Sequence, residues 1–377
     1  MGVKSFTQVF DYSSEITYKD LKGKNIVIDA SVEIYRSALG MKMSETLTDA
    51  FGQPTAHINI ILLGVILKLK AANANQYWIF DKFHTDGEDY HNPLKQLELQ
   101  KRKEKKLAAS KKIIELKEQI EKLHVTNNKN ITNNKNITTE ESELFSDSEG
   151  DDEDEIRSDQ IKKHDQIIKH KENLDKQEKV AFVIKRSYFE DVIFMLDMLD
   201  IPWLECPAGF DAEQVAAEAT NKNIFGVRMD FVLSSDMDTL LFGAKALIKR
   251  DIKKKKFFKY ILDELLENYE LEQDDLIKVG LILGTDFAPK TPKVGPKTVL
   301  KKYKSIELTE DQQKAMDLNF KRRLNNDEIK NIVIKNKDLV PFTDMDKYQL
   351  LLDWLQKVKQ FNRERIMKLF AKQKLFE

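Results

Sequence analysis

The sequence predicts an α/β protein built on a central, mainly parallel sheet flanked by helices. Three observations predict it. Lys24–Ala30 (KNIVIDA) is a β-branched apolar run closing on an aspartate, and Gln76–Asp81 (QYWIFD) is a second such run that also ends in an acid. Between them, His57–Ala71 is long and apolar enough for a core helix. Strand, helix and apolar strand make a βαβ unit, and the parallel strands of such units are buried on both faces. Ligands of these sheets sit beyond the carboxyl ends of the strands, where Asp29 and Asp81 fall.

The elements that follow alternate less regularly. Lys101–His124 reads as a helix, because Ile113, Leu116, Ile120 and Leu123 step by three, four and three through a basic surround. A tandem NNKNIT (127–132, 133–138) and an acidic run come next, with too few apolar residues to order them, so 127–155 is expected to be disordered. A second basic helical stretch covers Ile161–Lys179. Order resumes at Val180. Ser187 with Glu190 has the capping-box pattern and opens a helix through Leu199. A strand is expected in 201–206, a helix from about Asp211, a strand in 230–235 and a helix over Leu276–Gly284. A Pro/Gly/Lys turn at Pro289–Lys302 feeds a further helix, and an amphipathic helix from Tyr348 runs nearly to the end.

Composition narrows the function classes. A chain of 377 residues allows two or three domains, or one large α/β unit with insertions. No apolar run approaches the ~18 residues of a membrane span, and no signal-peptide pattern opens the chain, so an intracellular protein is expected. The single cysteine, Cys206, excludes a disulfide framework and a Cys-based zinc site, and six scattered histidines offer little else for zinc. The net charge of −1 conceals an asymmetry: residues 127–155 hold ten acids and two lysines, which leaves the rest at +7. A basic body with a segregated acidic segment suits a polyanionic partner, although charge alone favours a solubilising linker beside an ordinary Lys-rich surface.

The chemistry lies in acids at predicted strand ends: Asp29, Asp81, Asp211 with Glu213, Asp236 with Asp238, and Asp286. One Asp-x-Asp pair is more often a turn than a ligand set. Seven acids recurring at one sheet edge would repel one another, and divalent cations remove that cost. Oxygen ligands without Cys or clustered His select Mg²⁺, with Mn²⁺ as a substitute, over Zn²⁺. Two such ions ~4 Å apart are the usual device for phosphodiester hydrolysis.

These residues carry a resemblance. MGVKSF at the start, NIVIDASVEIY (25–35), WIFD (78–81), AGFDAEQVAAE (208–218), SSDMDTLLFG (234–243) and LGTDFAPKTPKVGPKTVLKKY (283–303) resemble, in order, the motifs of the flap endonuclease/XPG family of structure-specific 5′ nucleases. The resemblance implies a PIN-like nuclease fold with a helical arch and a helix–two-turn–helix DNA-binding element. By it, residues 1–106 form an N-terminal nuclease region and 107–179 the arch with the 127–155 insert. Residues 180–303 form the internal nuclease region with the helix–two-turn–helix element, and 304–377 a helical region completing the core. The seven acids would hold two Mg²⁺ ions. Lys95 and Arg102, in LKQLELQKR (94–102), would contact the scissile phosphate, and seven residues is two helical turns, so both can face one group. Tyr35 would stack on a base near the cut and Gly2 would lie against the DNA. Gly295, Lys297, Lys301 and Lys302 would grip duplex backbone, helped by a tight turn and a helix N-terminus.

Departures from the family pattern are specific. Asp211 stands where Glu is usual, and Lys293 replaces the first glycine of the usual G-x-G-P-K turn. The arch insert is larger than in compact flap endonucleases, and the tail after Lys372 has no sliding-clamp box. The function implied is a Mg²⁺-dependent endonuclease that cuts 5′ flaps or branched DNA in replication, repair or recombination, acting as a monomer. A 5′ exonuclease, an RNA endonuclease and a non-catalytic nucleic-acid-binding scaffold are the alternatives. The basic runs KRKEKK (101–106) and KKKK (253–256) suit nuclear targeting, and the Ile/Lys/Asn richness suits an AT-rich genome such as that of a large DNA virus acting in a host nucleus.

Overall fold

The structure, a computed structural model, describes residues 3, 5–40, 48–53, 55–82, 93–137, 150–251, 254–337 and 345–372. Contacts divide the chain into two compact units, Met1–Glu98 with Ile184–Glu377, and Leu99–Val183.

The first unit is organised by eight strands: β1 (Ser14–Ile16), β2 (Asn25–Asp29), β3 (Asn75–Phe80), β4 (Trp203–Glu205), β5 (Phe231–Leu233), β6 (Ala246–Asp251), β7 (Lys256–Ile261) and β8 (Ile334–Lys335). Their order in the sheet is β1-β7-β6-β5-β2-β3-β4-β8. The central run β6-β5-β2-β3-β4 is parallel throughout. Antiparallel strands close both edges, β7 and β1 at one side and β8 at the other. The sheet is therefore mixed: its parallel centre follows from the βαβ pattern, and its edges do not.

Alternate residues of the central strands face opposite layers. Val27, Tyr77, Ile79, Val232 and Leu247 join a cluster with Val215, Ala216, Leu276 and Val279. Ile26, Ile28, Trp78 and Phe80 are fully buried on the other side. There a continuous helix, α2, runs through Ala56–Ile61, a wider-wound turn Leu62–Ile66, and Leu67–Ala71, after α1 (Ala30–Gly40). The Gln76 amide donates to the Ile66 carbonyl at 3.1 Å, tying β3 to that turn.

In the second unit, α3 (Pro93–Ile137) continues from its first residues in the first unit, and α4 is Gly150–Ala181. The predicted stripe is the shielded face: Leu116 is buried and Ile113, Ile120 and Leu123 are half-buried, while their neighbours are exposed. Disorder expected over 127–155 is corrected in part, because helix continues through Ile137 and begins again at Gly150. Asn, Lys, Ile and Thr weaken a helix only slightly, and no Pro or Gly interrupts 127–137. Residues 138–149 lie outside the described residues.

Two further expectations are corrected. Helix α5 (Arg186–Met198) takes Lys185, not Ser187, at its N-cap, so Ser187 sits inside the first turn. The C-terminal helix is two: α9 (Met345–Asp353), prolonged by a wider-wound turn to Val358, and α10 (Arg363–Lys372). Gln360 is left-handed at φ +57°, which stops the first helix as the Phe361 N–H bonds back to the Leu355 carbonyl.

That break turns Lys359 inward. Its ammonium meets Asp191 at 2.9 Å and Asp49 at 3.4 Å, and Asp191 also meets His57 Nε2 at 3.0 Å. All four residues are buried, and the Lys359 Nζ lies 5.3 Å from the Trp354 ring. A second buried pair joins Arg250 to Glu33 at 2.7 Å, with Arg36 on the other Glu33 oxygen at 3.0 Å. No helix among the described residues is long and apolar enough to cross a membrane.

Candidate active site

The acids converge where the strand ends place them. Asp29 ends β2 and Asp81 follows β3, so the parallel pairing sets them side by side at one edge. Asp211 is the N-cap of α6 (Ala212–Asn221), and Glu213 lies in that helix's first turn. Asp236 and Asp238 follow β5, which pairs with β2 on its other side. Asp286 comes from the turn after α7 (Gln273–Leu283). Gly284 makes that turn, with φ +92° and the Lys290 backbone 3.0 Å from where a Cβ would stand, so no other residue fits.

Carboxylate oxygens of Glu213, Asp236 and Asp238 lie within 4.8 Å of one another. Burial first, then Asp81, raises Asp29 well above the usual carboxylate range, with Asp236 adding to the effect and the Val32 N–H opposing it. Glu213 is raised by burial and then by Asp236, Asp29, Asp238 and Asp211. Asp238 is raised by burial and then by Asp236 and Asp286, against the Val3 N–H and the chain's amino terminus. Each of the seven acids thus repels at least one other of the set. The structure brings together all seven residues selected from the sequence.

The protein also aims these groups. Asp81 accepts from the Ser31 hydroxyl at 2.6 Å on one oxygen and from the Ala212 N–H at 2.9 Å on the other. Asp29 accepts from Val32 N–H at 3.1 Å, and Asp238 accepts from Val3 N–H. The Asp236 N–H is held by Ser234 Oγ at 3.1 Å, and the Asp238 N–H by an Asp236 oxygen at 3.1 Å. The approach to Asp211 is fixed by Phe210, buried under the Arg322 guanidinium 4.1 Å from its ring centre. Ser31 and the Val3 amide are contributions sequence reasoning missed. Ser31 sits in the strand-end motif, but only tertiary pairing shows that its hydroxyl faces Asp81.

An all-carboxylate donor set, mutually repelling, with Asp29, Asp236 and Asp238 buried and the other four half-buried, fits a hard divalent cation with oxygen ligands and offers nothing to a softer one. Glu213 makes no ion pair and no hydrogen bond among the described residues, which leaves its oxygens to such an ion.

The other selected residues are placed less completely. Tyr35 is half-buried on α1. Lys95 stands in the first turn of α3, and its side chain lies outside the described residues, as does Gly2. Arg102 belongs to the second unit and is half-buried there. Gly295 caps α8 (Pro296–Lys302), with Thr298 Oγ1 3.1 Å from its N–H, and Lys297, Lys301 and Lys302 are exposed. Lys293 is left-handed at φ +61°, so the backbone keeps the glycine conformation without the glycine.

Residues 200–286 match the family model described as the XPG I-region, a span that includes Asp211, Glu213, Asp236, Asp238 and Asp286. The chain is 27% identical to flap endonuclease 1 of Sulfurisphaera tokodaii over 388 aligned positions, covering 95% of this chain and 91% of that protein. The chain is similar to the flap endonuclease/XPG nucleases over most of its length. Against flap endonuclease 1 of Trypanosoma brucei gambiense the identity is 26%, and the match spans about half of each chain, 52% and 51%. Two solved structures show the same fold. Flap endonuclease-1 from Methanococcus jannaschii has a TM-score of 0.58 at 18% identity, covering 99% of this chain and 98% of that one. The catalytic core of Rad2 in complex with DNA substrate has a TM-score of 0.56 at 15% identity, covering 99% and 100%.

Proposed function

We propose that this protein is a member of the flap endonuclease/XPG family and a Mg²⁺-dependent, structure-specific endonuclease that cleaves 5′ flaps or related branched DNA in replication, repair or recombination. The observation that carries the reading is the convergence of seven carboxylates, from Asp29 to Asp286, at the carboxyl edge of the parallel strands. Asp29, Asp81, Asp211, Glu213, Asp236, Asp238 and Asp286 would hold two divalent cations. Bound there, the cations would activate a water and stabilise the leaving oxygen. Ser31 and the Ala212 N–H keep Asp81 in one orientation, so the ligand set is formed in advance.

The remaining residues would position the nucleic acid. Lys297, Lys301 and Lys302 present charge on an exposed helix and turn, suited to duplex backbone. Lys95 and Arg102 would meet the scissile phosphate, Tyr35 a base beside the cut, and Gly2 the strand itself. Residues 107–179 would serve as the arch, and the basic runs 101–106 and 253–256 would direct the protein to a nucleus.

The test is cleavage of end-labelled 5′ flap, nicked duplex, blunt duplex and single-stranded DNA in Mg²⁺ or EDTA, beside Asp236→Ala. The expected result is one Mg²⁺-dependent cut near the flap junction, slowed by about 10³-fold or more in the variant, since a metal contributes several kcal/mol to the barrier. A ladder from the 5′ end would assign an exonuclease. Cleavage of RNA alone would transfer the reading to that polymer.

A further inference from the structure

Beside α2, from the amino ends of β2 and β3 to the turn between β6 and β7, lies a basic groove that no catalytic residue uses. Asn73 and Lys22 stand at the amino ends of β3 and β2, where the Gly23 N–H bonds to the Asn73 carbonyl. Asp81 follows the carboxyl end of the same β3, about 20 Å away at 3.3 Å per residue. A cavity of about 440 Å³ opens there, and an adjoining one of about 390 Å³ reaches the carboxyl end of β6; both are lined by Tyr18 and Lys68. Lys19 and Lys22 line the first; Arg250 and Lys255 line the second.

The charge of this groove is unbalanced. None of Lys19, Lys22, Lys68 and Lys255 forms an ion pair with a carboxylate among the described residues. The two nearby acids are turned to local tasks: Asp20 accepts from the Thr17 N–H and hydroxyl, and Asp251 accepts from the Lys254 N–H. Arg250 is held by Glu33 and the Gly64 carbonyl, so its position is fixed. Lys68 is the centre: its Nζ lies 5.9 Å from the Tyr18 ring centre, and burial, then Arg250 and Lys255, lower its pKa. A lysine destabilised by neighbouring cations is relieved by an anion between them. Each cavity has the size of a small-ligand site, and lysines beside an aromatic are a common lining for a nucleic-acid strand.

We propose that these two cavities form a second phosphate-binding groove, which holds the sugar–phosphate backbone of a substrate arm as it passes beside α2, away from the seven acids. The assignment of the phosphate to a nucleic acid rests on the nuclease reading above. The groove adds affinity for long arms and takes no part in the chemical step.

The test is the full-length triple variant Lys19→Glu/Lys22→Glu/Lys255→Glu. Binding of fluorescent 5′ flap DNA with long or short duplex arms is measured in EDTA across a salt series, and cleavage is measured with saturating enzyme in Mg²⁺. The expected result is about tenfold weaker binding to the long-armed substrate and a salt slope shallower by about two ions, following counterion release. Short-armed binding and the saturated cleavage rate stay as in the wild type. Unchanged long-arm affinity, or an equal loss on both substrates, overturns the groove. Pyrophosphate bound by the wild type but not by the variant, with DNA affinity unchanged, overturns the strand assignment in favour of a free anion. Failure of the nuclease reading shows separately, as absence of cleavage by the wild type.

Discussion

Two clusters of charge in this molecule are built on opposite rules. Around Lys359 the chain supplies both signs: one ammonium lies between Asp49 and Asp191, with His57 against the same Asp191. At the strand ends it supplies one sign, and the strongest neighbours of Asp29, Glu213 and Asp238 are other acids. The first cluster is complete when the chain folds, and it fastens the 48–53 turn, α2, α5 and the C-terminal helices together. The second is a cost that folding leaves standing, to be relieved from solution. A balanced cluster therefore marks a structural joint, and an unbalanced one marks a place for a ligand.

The sharpest way to break the contrast is Lys359→Met. It leaves two buried aspartates without their cation, and breaking such a pair costs about 3–5 kcal/mol, which urea denaturation measures directly. Cleavage per folded molecule should stay unchanged. A loss below about 1 kcal/mol would show that the cluster is not a joint.

The carboxylate cluster should respond in the opposite sense. Asp29, Glu213 and Asp238 have raised pKa values, so above about pH 4 the metal-free folded state holds protons that the unfolded chain has released. Metal-free stability should then fall as pH rises from there through the raised values. Mg²⁺ at about a hundred times its Kd should add about 2.7 kcal/mol and flatten that slope. Asp236→Asn should raise metal-free stability and shrink the Mg²⁺ effect. Thermal unfolding across pH, with and without Mg²⁺, checks both; a metal-free stability that rises with pH would contradict the electrostatics.

The smallest effect concerns Lys293. A side chain at φ +61° costs about 1 kcal/mol, partly offset by the greater freedom glycine has when unfolded. Lys293→Gly should stabilise the fold by a few tenths of a kcal/mol to about 1 kcal/mol, read as a higher urea midpoint. Destabilisation would mean that the lysine side chain contributes packing that outweighs its backbone strain.

The contrast also explains what could be read in advance. Asp29 and Asp81 were legible because a β-branched run closing on an acid is a local pattern, and parallel pairing then sets such residues side by side. Glu213, Asp236, Asp238 and Asp286 were legible through motif and order. The balanced cluster was not, since nothing local links Asp49, Asp191 and Lys359, and Lys359 reads as one more charge on an amphipathic helix. Strand β6 was hidden for a related reason. Its sequence ALIKRD looks half polar, yet Arg250 is buried because Glu33, far away in the chain, receives it. The edge strands β1 and β8 are three and two residues long, too short for alternation to register.

The strand order bears on when during synthesis the protein becomes competent. β2, made early, lies at the centre of the sheet, flanked by β3 and by β5, which is made much later. Asp29 therefore leaves the ribosome long before Asp286, roughly 10–50 s earlier at ordinary elongation rates. A nascent chain with only part of the acid set cannot assemble the site, and truncated translation products lack it altogether. Delay is built into the connectivity, so the capacity to cut nucleic acid arises only once most of the polypeptide exists.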